Sequence, residues 1–241
     1  MYGMYGYCYG YGFDPTIILV LIGVALSLWA QGRVNSTFSR YSRVRSMTGM
    51  TGAEAARRLL NAQGIYDVTV QPIAGELTDH YDPRTKTVNL SQSVYGATSV
   101  AAIGVAAHEC GHAMQDNEGY APLRFRSALV PAANFGSKLS WPLILLGLVF
   151  GGLGSPLVEI GILMFSLAVL FQLVTLLVEY NASARAVRLL DAQGILAGEE
   201  VSGTRKVLNA AALTYVAAAA TSILQLLRLI ILFGGRNRRD N

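Results

Sequence analysis

The chain has 241 residues, of which 52% are hydrophobic and only 14% are charged, and its formal net charge is +4. Soluble domains carry about 25% charged residues, so this composition argues against an ordinary soluble protein and indicates a membrane protein. The two cysteines, Cys8 and Cys110, form no spaced set, which excludes a disulfide scaffold and a four-cysteine zinc site. Because the basic surplus is small, no nucleic-acid partner is expected.

The first predicted element is a membrane-spanning helix. Residues 1–12 alternate tyrosine with glycine and have no aliphatic run that packs, so we predict that they are disordered. An apolar stretch at residues 13–32 follows, close to the ~20 residues that a spanning helix requires. A cleavable signal peptide is the alternative, but the stretch has no Lys or Arg before it and no small-residue cleavage site after it.

Residues 33–138 have the composition of a folded α+β domain. Thr51 and Glu54 form a capping box that predicts a helix, and Gly64 is suited to end it. The segment from residue 58 to residue 65, R-L-L-N-A-Q-G-I, returns almost unchanged at residues 188–195, which predicts two helices with the same glycine cap.

A small sheet and a second helix follow in the same region. We predict strands at residues 66–73, 76–81 and 87–90, with the turn D-P-R-T joining the last two. An alanine-rich helix is predicted over residues 99–115.

The second half of the chain is predicted to be helical. Two apolar blocks joined by G-S-P predict a transmembrane hairpin over residues 139–178, and residues 179–209 are predicted as cytoplasmic helices. The last apolar block, residues 210–235, is interrupted by Arg228, so a spanning and an interfacial helix both remain open. A basic tail, residues 236–241, ends the chain.

The distribution of basic residues predicts the orientation in the membrane. Residues 33–138 contain eleven Lys or Arg and residues 179–212 contain four, whereas residues 1–32 and 155–160 contain none. The positive-inside rule therefore places both polar regions in the cytoplasm and the amino terminus outside. The arginines of the tail conflict with this orientation if the last block spans. We expect a multi-pass protein of the cell membrane whose partner is the lipid bilayer.

The motif H-E-x-x-H occurs at residues 108–112, within the predicted alanine-rich helix. Spacing of i, i+4 places His108 and His112 on one face of a helix, where both can bind one zinc ion. Zinc lowers the pKa of a bound water to ~7, and Glu109 can take the proton of that water. The pattern predicts a zinc-dependent hydrolase with Glu109 as general base. Cys110 lies off this face and is predicted to pack in the core.

A catalytic zinc requires a third protein ligand, and three residues qualify. Glu118 has the spacing of a metzincin third ligand, but Gln115 replaces the glycine of that motif. His80 can reach the metal or can instead contact the oxyanion of the tetrahedral intermediate. Glu179 is favoured, because two predicted spans separate it from His112 and both residues therefore emerge on the same side of the membrane.

Five segments resemble one known family. They are L-T-D-H-Y-D-P-R (77–84), A-A-H-E-C-G-H-A-M-Q (106–115), S-A-L-V-P-A-A-N-F-G-S (127–137), V-E-Y-N-A-S (178–183) and L-N-A-A-A-L-T-Y-V-A (208–217). Together they resemble the bacterial membrane-bound neutral zinc metallopeptidases of the YugP type. A more distant similarity extends to integral-membrane gluzincins such as HtpX and the CAAX prenyl protease.

The resemblance implies a mainly α membrane protein with three to four transmembrane helices and a zincin-like cytoplasmic domain. It implies Glu179 as the third zinc ligand, because gluzincins place E-x-x-x-D after a transmembrane hairpin. Ser183 stands where the aspartate of that motif would orient the first histidine. Asn181, Ser183 and Asp82 remain alternatives for this role.

These observations predict a membrane-bound zinc endopeptidase that binds one Zn²⁺ through His108, His112 and Glu179. Its substrates are expected to be peptides or unfolded segments that add as a strand to the edge at residues 87–90. The alternative is a membrane scaffold or quality-control adaptor that binds zinc without turnover. Glu109 argues against the alternative, because a structural zinc site has no use for a base.

Overall fold

The computed structural model describes residues 14–152 and 155–234, so the predictions for residues 1–12, Cys8 and the basic tail lie outside it. The described chain is mainly helical and contains one small sheet. In chain order, its elements are α1 (Ile17–Tyr41), α2 (Gly52–Ala62), β1 (Thr69–Ile73), β2 (His80–Asp82), β3 (Thr87–Ser91), α3 (Gln92–Tyr95), α4 (Val100–Asn117), α5 (Ala121–Gly151), α6 (Pro156–Ala192) and α7 (Glu199–Phe233).

Four helices of the described chain, α1, α5, α6 and α7, are long and apolar enough to cross a membrane. Each extends well beyond the apolar block that predicted it. Helix α5 begins 18 residues before residue 139, and α6 continues through residue 178 to Ala192. Residues 179–209 do not form helices of their own. They comprise the end of α6, a short connection and the start of α7.

Helix α7 lies antiparallel along α1. Arg228 of α7 forms an ion pair with Asp14 (2.8 Å) and donates a hydrogen bond to Thr16 at the start of α1. In the second turn of α1, the Thr221 hydroxyl donates to the Gly23 carbonyl, and at the other end Tyr41 packs against Gly203. Helix α7 thus follows α1 along its length, and Arg228 is part of this helix pair.

Helices α5 and α6 form the predicted hairpin. Helix α5 ends before Gly152, which has a positive φ, and the Ser155 side chain caps α6 by accepting a hydrogen bond from the Leu157 amide. Two glycines allow the helix backbones to approach closely: a Cβ on Gly136 would collide with the Met164 carbonyl oxygen, and one on Gly161 would lie 2.6 Å from Ile144. The two helices are therefore packed at backbone distance.

Local capping signals in the sequence are confirmed. The Thr51 side chain accepts from the Glu54 amide and the Glu54 carboxylate accepts from the Thr51 amide, as a capping box requires. The two copies of the repeated segment both end a helix at a glycine with positive φ, +70° at Gly64 and +60° at Gly194. The repeat therefore reflects a shared helix end.

The sheet differs from the prediction in two respects. The prediction of a strand at residues 76–81 is wrong over residues 76–79, because Gly75 and Leu77 adopt positive φ and the chain is irregular until His80. The strand order is β1-β3-β2, with β3 parallel to β1 and antiparallel to β2. Strand β3 is consequently central, so the prediction that substrate adds to residues 87–90 is wrong, and β2 is an edge strand.

Helix α4 lies at the centre of the folded region. Its N-cap Ser99 accepts from the Ala102 amide, and its apolar residues join a core built with α2, β1, β3 and the polar ends of α6 and α7. Two glycines permit this packing, since a Cβ on Gly104 would meet Thr204 of α7 and one on Gly111 would meet the Ala182 carbonyl of α6. Helix α4 is thereby fixed against both long helices.

Substitution of Gly136 tests the close packing of α5 on α6. Gly136→Ala would force a methyl group against the backbone oxygen of Met164, and overpacking of this kind costs about 1–3 kcal/mol. We expect a lower melting temperature of the detergent-purified protein in circular dichroism. Gly32→Ala in α1 is the matched control, because its Cβ would have nothing within 4 Å. Equal melting temperatures for the two variants would contradict the described helix contact.

Candidate metal centre

Two histidines and a glutamate of α4 face the polar end of α6. His108 and His112 lie one helical turn apart, with ring centroids 4.8 Å apart and an interplanar angle of 84°. Glu109 and His112 are buried, with 7% and 9% of their surface exposed. The helical spacing that the sequence predicted thus places both imidazoles side by side.

Glu179 brings a carboxylate from α6 to the two imidazoles. Its Oε2 lies 3.1 Å from His108 Nε2 and 3.5 Å from His112 Nε2, and only 3% of the residue is exposed. The ligand atoms of the three residues all lie within 4.8 Å of one another. The carboxylate is at this position because α6 continues in helical form beyond the apolar block that ends at Val178.

Hydrogen bonds at the Nδ1 atoms direct both Nε2 atoms toward Glu179. Ser183 Oγ lies 3.1 Å from His108 Nδ1, and Gln115 Oε1 lies 3.0 Å from His112 Nδ1. An amide oxygen only accepts, so His112 Nδ1 donates to Gln115, and Nε2 is the nitrogen that faces Glu179. Such contacts orient metal-binding histidines. Of the three alternatives for the partner of the first histidine, Ser183 is the residue in contact.

Gln115 is a site residue whose role the sequence analysis missed. Its Nε2 donates to the Val178 carbonyl and to Asn181 Oδ1, both at 2.9 Å, which fixes the orientation of the amide. Gln115 is fully buried and so links α4 to α6 at the level of His112. Its position three residues after His112, on the same helix face, is the signal from which it could have been found.

The Glu109 carboxylate is held by the edge strand. Its Oε2 accepts a hydrogen bond from the Tyr81 backbone amide at 3.1 Å. The Tyr81 hydroxyl donates to Asp116, which also forms an ion pair with Lys86 at 2.7 Å. Burial, together with the Asp116 hydrogen bond, raises the pKa of Tyr81, so the phenol stays protonated as a donor. Strand β2 is thereby attached to α4 beside the general-base candidate.

The electrostatics of His112 follow from its neighbours. Burial lowers the pKa of this imidazole, but the Glu179 hydrogen bond and the negative charges of Glu109 and Glu179 outweigh burial, so the net shift is upward. The Glu109 and Glu179 carboxylates therefore favour the binding of positive charge at this site, either a proton or a metal cation. Cys110 differs: burial raises the pKa of its thiol, and Sγ faces the Ala56 carbonyl in the core, as predicted.

Three sequence candidates lie apart from the cluster. Glu118 is at the end of α4, half-exposed, and forms an ion pair with Arg185 at 2.6 Å. The Asp82 carboxylate binds the Arg84 amide and the Thr85 hydroxyl within the turn that follows β2. Asn181 contacts Gln115 and Arg185, so it supports the site one residue further out.

His80 lies on the wall of the cavity in front of the cluster. Its ring contacts the Thr78 carbonyl at 2.8 Å and the Asn89 side chain at 3.2 Å. The cavity has a volume of about 650 Å³ and is lined by residues of β2, α4, α5, α6 and α7. His80 and the His108–His112–Glu179 cluster therefore face the same space, but His80 does not belong to the cluster.

Two further residues of this cavity were missed by the sequence analysis. Arg126 of α5 approaches Glu179 Oε1 at 3.9 Å, and its buried Nε has no hydrogen-bond partner among the described residues. Tyr215 of α7 lines the same cavity as Glu179. Arg126 belongs to the region predicted as the folded domain and Tyr215 to the last apolar block, and their positions depend on how α5 and α7 pack.

A second, smaller cavity reaches the same cluster from the side of α1 and α7. Its volume is about 280 Å³, and it shares His108, Glu109 and Glu179 with the larger cavity. Its wall includes Gln31 of α1 and Ala211 of α7. The cluster is therefore bordered by open space on two sides.

The donor set fits a zinc ion. Two imidazole nitrogens and one carboxylate oxygen form the three-ligand set of catalytic zinc sites, which leave a position open for water. The carboxylate is buried and has two imidazoles and a distant arginine as its neighbours, so a divalent cation would compensate its charge. Calcium and magnesium prefer sets composed of oxygen ligands, which this cluster lacks.

Comparisons with known proteins agree with this chemistry. A family model described as "Putative neutral zinc metallopeptidase" matches residues 16–234. The chain is similar to "Putative membrane protease YugP" of Bacillus subtilis (strain 168), with 48% identity over 224 residues, which cover 93% of this chain and 98% of that protein. No solved structure gives a significant match.

Zinc content tests the identity of the third ligand. Glu179→Gln removes the carboxylate that lies within 3.5 Å of both imidazoles, so we expect its zinc content to fall well below that of the unchanged protein. Glu118→Gln is the matched control, because it removes a carboxylate that contacts only Arg185. The measurement is elemental analysis of purified protein. A loss of zinc in the control alone would assign the third ligand to Glu118.

The contact between Ser183 and His108 makes a separate prediction. Ser183→Ala removes the hydroxyl that faces Nδ1, and loss of such a partner weakens metal binding by about 10–100-fold. Ser166→Ala is the control in the same helix, because its hydroxyl donates only to the Ile162 carbonyl. Zinc affinity is measured by competition with a chromophoric chelator. Identical affinities in the two variants would show that Ser183 does not position His108.

Proposed function

Because this chain belongs to the neutral zinc metallopeptidase family, we propose that it is a zinc-dependent endopeptidase that acts at the membrane. In this proposal His108, His112 and Glu179 hold one zinc ion and Glu109 is the general base. The observation that carries the proposal is the position of Glu109, a buried carboxylate that borders the same cavity as the three metal-binding candidates. A purely structural zinc site needs no such base.

The chemistry requires a nucleophile, a base and a group that stabilises negative charge. A bound zinc ion supplies Lewis acidity, which activates water and polarises the peptide carbonyl. Glu109 accepts the proton of the attacking water and then donates it to the departing amine. The Tyr81 amide holds the Glu109 carboxylate on the cavity side of α4, so the base is oriented before substrate arrives.

Groups on the cavity wall can stabilise the negative charge that develops on the substrate oxygen. His80, for which the sequence leaves a metal-ligand role and an oxyanion role as alternatives, lines the cavity from β2. Arg126 and Tyr215 line it from α5 and α7, and Arg126 carries an unused buried donor, Nε. Donors placed in advance at such a position contribute strongly to catalysis in a water-poor site.

Strand β2 offers a way to bind an extended peptide. It is an edge strand, its residues His80 and Tyr81 line the cavity, and peptides often bind by adding a strand to such an edge. This edge replaces residues 87–90, which lie within the sheet. The substrates we propose are therefore peptides or unfolded protein segments, because only extended chain can pair in this way.

The position of the site supports catalysis at a membrane surface. Its metal-binding candidates lie at the polar end of α6, directly after the apolar part of that helix. The excess of basic residues in the polar regions supports a cytoplasmic location of the site in a multi-pass protein of the cell membrane. We propose this orientation together with the activity.

Replacement of Glu109 separates metal binding from catalysis. Glu109→Gln keeps the size of the side chain but removes the base, so we expect normal zinc content and a loss of proteolysis of about 10²–10⁴-fold. Cleavage of a fluorescently labelled unfolded protein by the reconstituted chain is the readout. Glu76→Gln, an identical change in an exposed loop, should leave both properties unchanged. Full proteolysis by Glu109→Gln would refute the mechanism. A zinc-loaded unchanged protein without any proteolysis would favour the scaffold.

A further inference from the structure

A basic cavity lies between α1, α6 and α7, apart from the metal centre. Its volume is about 600 Å³, and its basic residues are Arg33, Arg40 and Lys206. This cavity shares no lining residue with the larger cavity at the candidate metal centre. The basic cavity therefore requires an explanation of its own.

The spacing of the basic residues along α1 and α7 lets them all face the same cavity. On α1, Arg33 and Arg40 are seven residues apart, with Ser36 and Thr37 between them on the same face. On α7, Lys206 occupies the corresponding face, and Tyr180 of α6 completes the wall. Two antiparallel helices thus contribute cations and hydroxyl groups to the same cavity.

The positive charge of this cavity is not neutralised by the described chain. No carboxylate lines the cavity within residues 14–152 and 155–234. Across the same residues, Arg33, Arg40 and Lys206 form no ion pair with Asp or Glu. Three cations around one cavity repel one another, so an anion bound among them would be stabilised.

The cavity lies at the level where the apolar parts of the three helices end. Trp29, an exposed aromatic typical of the membrane interface, precedes Arg33 by one turn. The apolar part of α6 ends at Val178, two residues before Tyr180, and the apolar part of α7 begins at Ala210, one turn after Lys206. This is the depth at which lipid headgroups lie.

We propose that this cavity binds the phosphate of an anionic glycerophospholipid. Arg33, Arg40 and Lys206 contact the phosphate, and Ser36 and Thr37 donate hydrogen bonds to it. The acyl chains lie along exposed apolar residues of α1 on the same helix face as Arg33, among them Ile22 and Trp29. The proposal rests on membrane association alone and is independent of the peptidase activity.

A lipid is a better match than a small soluble anion because part of the cavity lining is apolar. Ala210 and Leu213 of α7 line the cavity together with the three cations. A free phosphate would leave that surface unused, whereas a lipid covers it with its glycerol and first methylene groups. Charge and apolar surface together therefore favour an amphipathic anion.

Lipid titration of the full chain in detergent micelles tests the proposal. The probes are dioleoyl phosphatidylglycerol, dioleoyl phosphatidylcholine and inorganic phosphate, and bound lipid is counted by native mass spectrometry. Each basic residue near a headgroup contributes a factor of about five, so we expect phosphatidylglycerol to bind about 100-fold more tightly than phosphatidylcholine. Excess inorganic phosphate should not displace it.

A matched pair of triple variants identifies the site. Arg33→Gln with Arg40→Gln and Lys206→Gln should abolish the preference for phosphatidylglycerol. Arg43→Gln with Arg84→Gln and Lys138→Gln removes the same charge from exposed positions outside the cavity and should keep the preference. Each single cavity variant should lose about fivefold, which keeps the test valid if the triple variant does not fold.

Several outcomes would overturn the proposal. Equal loss in both triple variants would show that only net charge matters, and displacement by inorganic phosphate would identify a site for small anions. Equal binding of both lipids by the unchanged protein would remove the basis of the proposal. Zinc content and proteolysis are measured on the same samples, and failure of the peptidase proposal would leave the lipid result unaffected.

Discussion

The close approach of α4 to α6 is the contact on which the candidate metal centre depends. Gly111 faces the Ala182 backbone at a distance that admits no side chain, so the two helices lie against each other at this point. Glu179 and Ser183 flank Ala182 on α6, and His108 and His112 flank Gly111 on α4. The helix contact thus brings the imidazole nitrogens of both histidines close to the Glu179 carboxylate oxygen. One turn further along α4, Gln115 connects the same two helices by a hydrogen bond to the Val178 carbonyl. The histidine motif on α4 is visible in the sequence, but only this contact with α6 adds the Glu179 carboxylate to it.

The groups behind the histidines are neutral. Gluzincins of the resembled type have an aspartate where this chain has Ser183, and His112 is paired with an amide. A carboxylate partner would raise the basicity of the imidazole and add negative charge to the site. With a hydroxyl and an amide instead, the only ligand charge is that of Glu179, so a zinc ion bound there would keep a net positive charge. This favours polarisation of a carbonyl group.

Local features of this fold could be predicted from sequence, and features that depend on packing could not. The capping box at Thr51, the histidine motif and the helix break just before Pro156 are visible because a few neighbouring residues determine them. The central position of β3 was missed, because strand order depends on distant parts of the chain. Gln115 and Arg126 were missed for the same reason: their partners come from α6. The partner of Arg228 is more than 200 residues away in sequence, at Asp14.

The metal centre is bordered by two cavities, and this has a consequence for the length of a substrate. The larger cavity lies on the side of β2 and α5, and the smaller one on the side of α1 and α7. A polypeptide that occupies both cavities crosses the centre and leaves it at either end, so neither terminus has to enter a closed chamber. In the proposed peptidase, the cleaved bond can therefore lie within an internal, unfolded stretch of polypeptide.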